Sequence, residues 1–292
     1  MLLNYLNLIR VPQWIKNLFV FVPLLFSLHL FEKDYFLNAI FAFVVFCLAS
    51  SLIYVINDLI DIEADKAHPV KKNRPLPSGA ISKRNAVIVA VILFAWIVLL
   101  LPDFNKEFSR LVIAFVVLNV LYSLWFKHIV ILDVFSIAAG FTLRVLGGAY
   151  AISVPVSSWL ILTTLFISLF LGVMKRHSEL KLSTESESGT TRKVLSQYSL
   201  NFADQMATIA AAGVIICYAL YTVSDRTVSV FKTEDLIYTT PFVVYGIFRF
   251  MYLEYISGKG ENATKIAVTD FQMIVTVLAY IVTTVLIIYN II

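Results

Sequence analysis

Charge is what this sequence has least of. Only 14% of its 292 residues are Asp, Glu, Lys or Arg, where a soluble domain of this size carries about a quarter. With 60% hydrophobic residues, that scarcity excludes an ordinary soluble enzyme and points to a polytopic membrane protein. Cysteine is nearly absent. The two present, Cys47 and Cys217, each lie inside an apolar run, which excludes a disulfide framework or a thiolate metal site and leaves them as small core hydrophobes. No basic lead with a small-residue cleavage pattern precedes the first apolar run, so that run is expected to remain as an anchor rather than be removed as a signal peptide. Convincing catalytic histidines are also missing. His68 and His177 fall in polar stretches, read as surface positions and given no role. The net charge of +4 is modest, and no nucleic-acid partner is expected.

What is present is a series of long apolar runs. A spanning helix needs about 20 mostly apolar residues, and that window predicts nine spans: 14–31, 36–56, 82–101, 107–124, 130–151, 157–175, 204–223, 236–256 and 268–291. Pro12 and Pro23 interrupt the first. The expectation is one all-α integral membrane domain over residues 1–292, with two long polar connections at 57–81 and 176–203. The second includes Ser183 to Lys193, a stretch too polar to pack. Both follow corresponding spans, the second and the sixth, which hints at two similar halves. Of the 23 Lys and Arg, 16 fall on the side of the N-terminus and both long connections, 5 on the other side, and Arg144 and Arg249 within spans. The positive-inside rule then places the N-terminus and both long connections in the cytoplasm of a multi-pass cell-membrane protein.

The densest polar run is Asn57 to Gly79, NDLIDIEADKAHPVKKNRPLPSG. If the second helix continues through it, Asn57, Asp58, Asp61 and Asp65 fall at about 0°, 100°, 40° and 80° on one face, with Glu63 nearly opposite. An amide and three carboxylates are oxygen-only ligands that suit Mg²⁺, and a cation would relieve their mutual repulsion. The plain alternative is a solvated helix end. Lys71, Lys72 and Arg74 follow directly, and acids for a metal beside bases for phosphate oxygens equip a diphosphate site. Tyr54, one turn before Asp58, is either a substrate hydrogen-bonder or an interfacial anchor.

Asp133 and Arg144 lie within the fifth span, where a charge costs at least about 2.5–3.5 kcal/mol. Eleven residues apart, they share a face to within about 20° but are separated by roughly 16 Å along the axis, too far to pair. Gly140 and Gly147 fall on the same stripe, giving close packing or room for a substrate. Arg144 could fork onto a phosphate or form a structural pair with another helix. Lys127, at the entrance of that span, is a phosphate contact or a positive-inside anchor.

The segment NDLIDIEAD (Asn57 to Asp65) resembles the first aspartate-rich motif, N-D-x-x-D-x-x-x-D, of the UbiA superfamily of intramembrane prenyltransferases. RPLPSG (Arg74 to Gly79) is similar to that family's following loop. More narrowly, RVPQWIKN (Arg10 to Asn17), EADKAHPVKKNRPLPSG (Glu63 to Gly79), WFKHIVILDVFSIAAGFTLRVLGGA (Trp125 to Ala149), KRHSEL (Lys175 to Leu180) and ENATKIAVTD (Glu261 to Asp270) resemble the decaprenyl-phosphate phosphoribosyltransferase branch. Members that alkylate aromatic rings carry a second acidic motif after the sixth span. Here that place reads KRHSELKLS, with Glu179 as its only acid behind Lys175 and Arg176, which suits a donor richer in phosphate.

The resemblance implies a nine-helix bundle around a central cavity open to the cytoplasm. The implied reaction moves the 5-phosphoribosyl group of phosphoribosyl diphosphate to a polyprenyl phosphate, releasing diphosphate, to make a pentose donor for the cell envelope. It implies Mg²⁺ on Asn57 and Asp61 with Asp58 and Asp65 in support, Asp58 and Asp61 as the catalytic pair, and Lys16, Tyr54, Lys71, Arg74, Lys127, Arg144, Lys175 and Arg176 on the substrates. Trp14 and Lys16 would otherwise read as an interfacial pair. The nearest alternative is transfer of a prenyl group from a prenyl diphosphate to an aromatic acceptor. An alternative of another class is a lipid or anion transporter, which would form no covalent product.

Overall fold

In lipid, a backbone must satisfy its own N–H and C=O groups, and helices of long apolar runs do so. The structure, a computed structural model, describes residues 2–67, 71–185, 193–256 and 269–291. Its elements in chain order are α1 (Leu2–Leu8), a 3-10 segment (Val11–Phe21), α2 (Val22–Leu25), α3 (Lys33–Ile60), α4 (Ile62–Ala67), α5 (Lys83–Leu100), α6 (Lys106–Leu124), α7 (Leu132–Ala151), α8 (Ser158–Glu185), α9 (Leu200–Val223), α10 (Asp225–Phe231), α11 (Thr240–Tyr255) and α12 (Phe271–Ile288). Among the described residues there is no strand. Among the described residues, eight stretches are long and apolar enough to cross a membrane, and the bent pair Leu2–Leu8 with Val11–Leu25 gives a ninth when taken as one span. Helix starts follow the usual chemistry: the Ser82, Asn105, Ser199 and Asp270 side chains each accept an N–H of the first turn. Along α5 the large side chains Val87, Ile88, Val91, Ile92, Phe94 and Trp96 are exposed, a lipid-facing surface that water would not tolerate. The chain is a multi-pass membrane protein.

The described contacts gather into two compact units. The first comprises Met1–Phe126 and Leu143–Pro155. Its axis is α3, whose Ala42, Val45, Phe46, Ala49 and Ile53 pack with Ala86, Leu93 and Ile97 of α5 and Phe108, Val112 and Phe115 of α6. Gly147 and Gly148 permit a close approach here. A Cβ on Gly147 would meet the Phe46 ring at 2.5 Å, and one on Gly148 would run into the backbone carbonyl of Val20. Close packing is therefore what Gly147 provides.

The expected first span, 14–31, is not one helix: Val11–Phe21 is a 3-10 segment, Val22–Leu25 is α-helical, and the chain turns after Leu25. The chain bends by 48° between α1 and Val11–Leu25, with Arg10 in the left-handed region (φ 53°) and Pro12 opening the 3-10 turn. Pro12 has no N–H to continue a helix and disfavours the helical conformation before it. The 57–81 connection is also more ordered than expected: α3 runs to Ile60, Asp61 breaks the helix (φ −90°, ψ 9°), and α4 restarts at Ile62.

The second unit comprises Lys127–Thr142 and Val156–Ile292. Its core joins Phe170, Val173 and Met174 of α8 to Ala203, Ala207, Ala210, Ala211 and Val214 of α9, with Ile247, Phe250 and Leu253 of α11. The alanines let the two helices approach closely, the usual packing device inside a membrane. α8 continues to Glu185, so the expected connection 176–203 begins as helix. Buried Arg176, His177, Ser178 and Leu180 and the Lys175–Glu179 and Arg176–Glu179 pairs sustain those extra turns. His68 and residues 186–192, with most of the Ser183–Lys193 stretch, lie outside the described residues, as do 257–268, which include most of Glu261 to Asp270.

Candidate active site

Along α3, Cys47, Ser50, Ser51, Tyr54 and Asp58 recur at helical spacing and make one polar stripe. The segment Ile9–Asn17 is stapled to it. Trp14 Nε1 donates to Ser51 Oγ at 3.0 Å, and Ser51 Oγ donates to the Ile9 carbonyl at 2.8 Å. Asn17, fully buried, donates from Nδ2 to Cys47 Sγ at 3.2 Å and accepts from Ser50 Oγ at 3.2 Å. Arg10 closes the top of the stripe: its guanidinium pairs with Asp58 and lies 4.5 Å from the Tyr54 ring centroid. A left-handed non-glycine residue carries strain of about 1–3 kcal/mol, which the ion pair and the ring contact offset.

Asp58 and Asp65, both buried, share one partner. Arg74 Nη1 lies 3.3 Å from Asp58 Oδ1 and 2.6 Å from Asp65 Oδ2. Lys71 Nζ stands 3.5 Å from the other oxygen of Asp65. The helical wheel placed these acids on one face through a continuous helix. The structure brings Asp58 and Asp65 together across a break, joined by Arg74. Asp61 sits at that break, half-buried, its N–H accepted by the Asn57 carbonyl at 2.9 Å.

Arg144 is buried in the same unit. Its Nε donates to Asn17 Oδ1 at 2.6 Å, its Nη2 to Ser50 Oγ at 3.4 Å, and its guanidinium lies 4.5 Å from the Phe115 ring centroid. Lys16, half-buried, feels the charges of both Arg144 and Arg10. Three cations thus gather along one polar stripe, an arrangement an anion would stabilise.

In the second unit Asp133 and Arg176 are both fully enclosed, and Arg176 Nε donates to Asp133 Oδ2 at 2.7 Å. Arg176 also pairs with Glu179. Tyr198 Oη donates to the other oxygen of Asp133 at 2.7 Å; burial first and this bond second push the phenol's pKa above its ordinary value, so it stays protonated. Asp133 and Arg144 therefore have separate partners, as their spacing required. Arg176, expected on the substrate, is committed to carboxylates inside the unit. Lys175 is half-exposed and Lys127 half-buried on the turn Phe126–His128.

His177 corrects the sequence reading. It is buried, with Nε2 3.3 Å from Asp204 and Nδ1 3.5 Å from Glu254. Ser178 also bonds Glu254, and Tyr255 Oη donates to Asp204 at 2.9 Å. Sequence reasoning also gave no role to Arg10, Asn17 or Tyr198. Arg10 and Asn17 had one signal, as the two ends of the family-like segment RVPQWIKN.

Among the described residues, no group of three or more His, Cys, Asp or Glu stands close enough to hold a metal ion. The donor chemistry fits Mg²⁺ all the same. Asn57, Asp58, Asp61 and Asp65 offer only oxygen, and Mg²⁺ shared with substrate phosphates needs just one or two carboxylates. A cation, the Arg74 guanidinium, already bridges the two buried acids.

Residues 18–181 match the UbiA prenyltransferase family. Decaprenyl-phosphate phosphoribosyltransferase of Mycolicibacterium smegmatis is 34% identical over 223 residues, covering 75% of this chain and 70% of that protein. The protein of the same name from Mycobacterium tuberculosis is 30% identical over 223 residues, covering 73% of this chain and 72% of its own. Among solved structures, a UbiA homolog from Archaeoglobus fulgidus bound to GPP and Mg²⁺ shares the fold, with a TM-score of 0.69 at 15% identity over 98% of each chain.

Proposed function

Since the chain belongs to the UbiA prenyltransferase family, we propose that it transfers the 5-phosphoribosyl group of phosphoribosyl diphosphate to a decaprenyl-type polyprenyl phosphate. The observation that carries this reading lies at the end of α8. Glu179, the lone acid where ring-alkylating members have a second acidic motif, is engaged by buried Arg176 and half-exposed Lys175, so that place lacks the carboxylate cluster a second metal would need and has a lysine at its surface. The names of the M. smegmatis and M. tuberculosis relatives support it.

In this reading an oxygen of the lipid phosphate bonds to C1 of the ribose while the bond from C1 to the diphosphate oxygen breaks, its electron pair leaving with diphosphate. The lipid phosphate is already ionised near pH 7, so the nucleophile needs no general base. Asn57, Asp58, Asp61 and Asp65 would hold Mg²⁺, which would supply charge neutralisation for the leaving diphosphate, with Asp58 and Asp61 as the catalytic pair. Arg74 and Lys71 turn from Asp65 to phosphate oxygens as the donor enters. Lys16 and Arg144 hold negative charge along the α3 stripe, Tyr54 contacts the sugar, and Lys127 and Lys175 take the 5-phosphate. Arg176 acts from within, by holding Glu179. The whole chain works as one polytopic domain in the cell membrane, with the N-terminus, 57–81 and 176–203 cytoplasmic. Its cavity opens to the cytoplasm, the prenyl tail lies in the bilayer, and the product is a pentose donor for the cell envelope.

The test is purified protein with ribose-labelled phosphoribosyl diphosphate, decaprenyl phosphate and Mg²⁺. Labelled lipid is expected. No labelled lipid here, with a prenylated product instead from prenyl diphosphate and an aromatic acid, overturns the reading.

A further inference from the structure

Ile131 has a backbone conformation a β-branched residue rarely adopts, with φ at 71°. Its N–H donates to Tyr198 Oη at 2.8 Å, and that same hydroxyl donates to Asp133 at 2.7 Å. From Asp133 the contacts run on without a gap. Arg176 Nε donates to its second oxygen at 2.7 Å, Arg176 Nη1 donates to Glu179, and Glu179 Oε1 lies 4.0 Å from Lys175 Nζ. Asp133 and Arg176 are fully enclosed, so their pairing acts in a low dielectric and fixes geometry strongly. Lys175, at the outer end, is 49% exposed. Lys127 stands four residues before the strained turn that Tyr198 holds. One phenol therefore lies at the root of two half-open lysines from different elements.

We propose that Tyr198 is a positioning residue that sets the attitude of Lys127 and Lys175 toward the phosphate of the donor. The inference rests on the phosphoribosyl-transfer reading for its substrate and on the hydrogen-bond chain for its geometry. The aromatic ring packs in the core with Val194 and Leu195 and stacks on Phe202, so Tyr198→Phe keeps the packing and removes only the hydroxyl.

The experiment compares wild type, Tyr198→Phe, Lys127→Gln/Lys175→Gln and the triple variant. Tyr198→Phe is expected to raise KM for phosphoribosyl diphosphate about five- to tenfold, with kcat within about twofold. In the double-lysine background the same change should lower kcat/KM by less than about twofold. An unchanged KM, or a full-sized effect without the lysines, overturns the proposal. Amide hydrogen exchange of a peptide covering 127–133 reads the positioning without turnover. It should speed up at least about tenfold in Tyr198→Phe, and unchanged exchange also overturns the proposal. Wild type that forms no phosphoribosyl lipid would defeat the reaction assigned above, and the exchange measurement would then decide the positioning alone.

Discussion

Arg74 bridges Asp58 and Asp65, two buried carboxylates seven residues apart on opposite sides of a helix break, at 3.3 and 2.6 Å. Removing the guanidinium leaves Asp65 with Lys71 and Asp58 with Arg10, and the two acids repel. Arg74→Gln is expected to destabilise the protein by about 1–3 kcal/mol. Because a divalent cation can take the arginine's place, millimolar Mg²⁺ should raise the melting temperature of the variant in detergent more than that of wild type. Equal Mg²⁺ effects on both would show that the acids do not share a cation.

Asp61→Ala tests the metal assignment through activity. Asp61 ends α3 through its backbone N–H and is only half-buried, so the variant should insert and melt like wild type while turnover is lost. Chelation by EDTA should abolish wild-type turnover, with recovery on adding Mg²⁺. Near-normal rates for Asp61→Ala, or activity that survives EDTA, would remove the metal from the mechanism.

Asn17 accepts from Arg144 and Ser50 at once. Asn17→Ala should destabilise by about 1.5–3 kcal/mol, because a buried charged donor loses its acceptor. Arg144→Lys keeps the charge but loses the fork, and should reduce kcat/KM for phosphoribosyl diphosphate by about ten- to a hundredfold. Steady-state kinetics with thermal melts separates the two effects.

Gly148→Ala would drive a methyl group into the Val20 backbone carbonyl, a neighbour that cannot rotate away. A loss of about 1–3 kcal/mol, or failure to insert, is expected. Gly79→Ala, at φ 78° in open space, should be milder, at about 1 kcal/mol. A melting curve for Gly148→Ala matching wild type would contradict the packing of α7 against the Val11–Phe21 segment.

Much of this architecture was legible in the sequence because apolar length and helical period are local signals. The starts of α5, α6 and α7 fall within two residues of their expected positions. The nearness of Asp58 and Asp65 was legible for the same reason. The break at Asp61 was not, because it depends on the backbone rather than on side-chain periodicity. Arg10 was read as a basic residue opening a family-like segment and given no partner, since Asp58 lies 48 positions away. His177 read as a surface histidine because Glu254, 77 residues on, is invisible to any local pattern. Arg176 read as a substrate contact for a like reason: the acid that claims it, Asp133, sits 43 residues earlier.

The central claim is that C1 of the ribose moves to the lipid while diphosphate leaves. Two preparations of phosphoribosyl diphosphate, one labelled in the 5-phosphate and one in the terminal phosphate of the diphosphate, distinguish it from every other transfer. With decaprenyl phosphate and Mg²⁺, the 5-phosphate label should appear in the lipid and the terminal label in water-soluble diphosphate. Terminal label in the lipid, or both labels left in intact donor, would contradict the account.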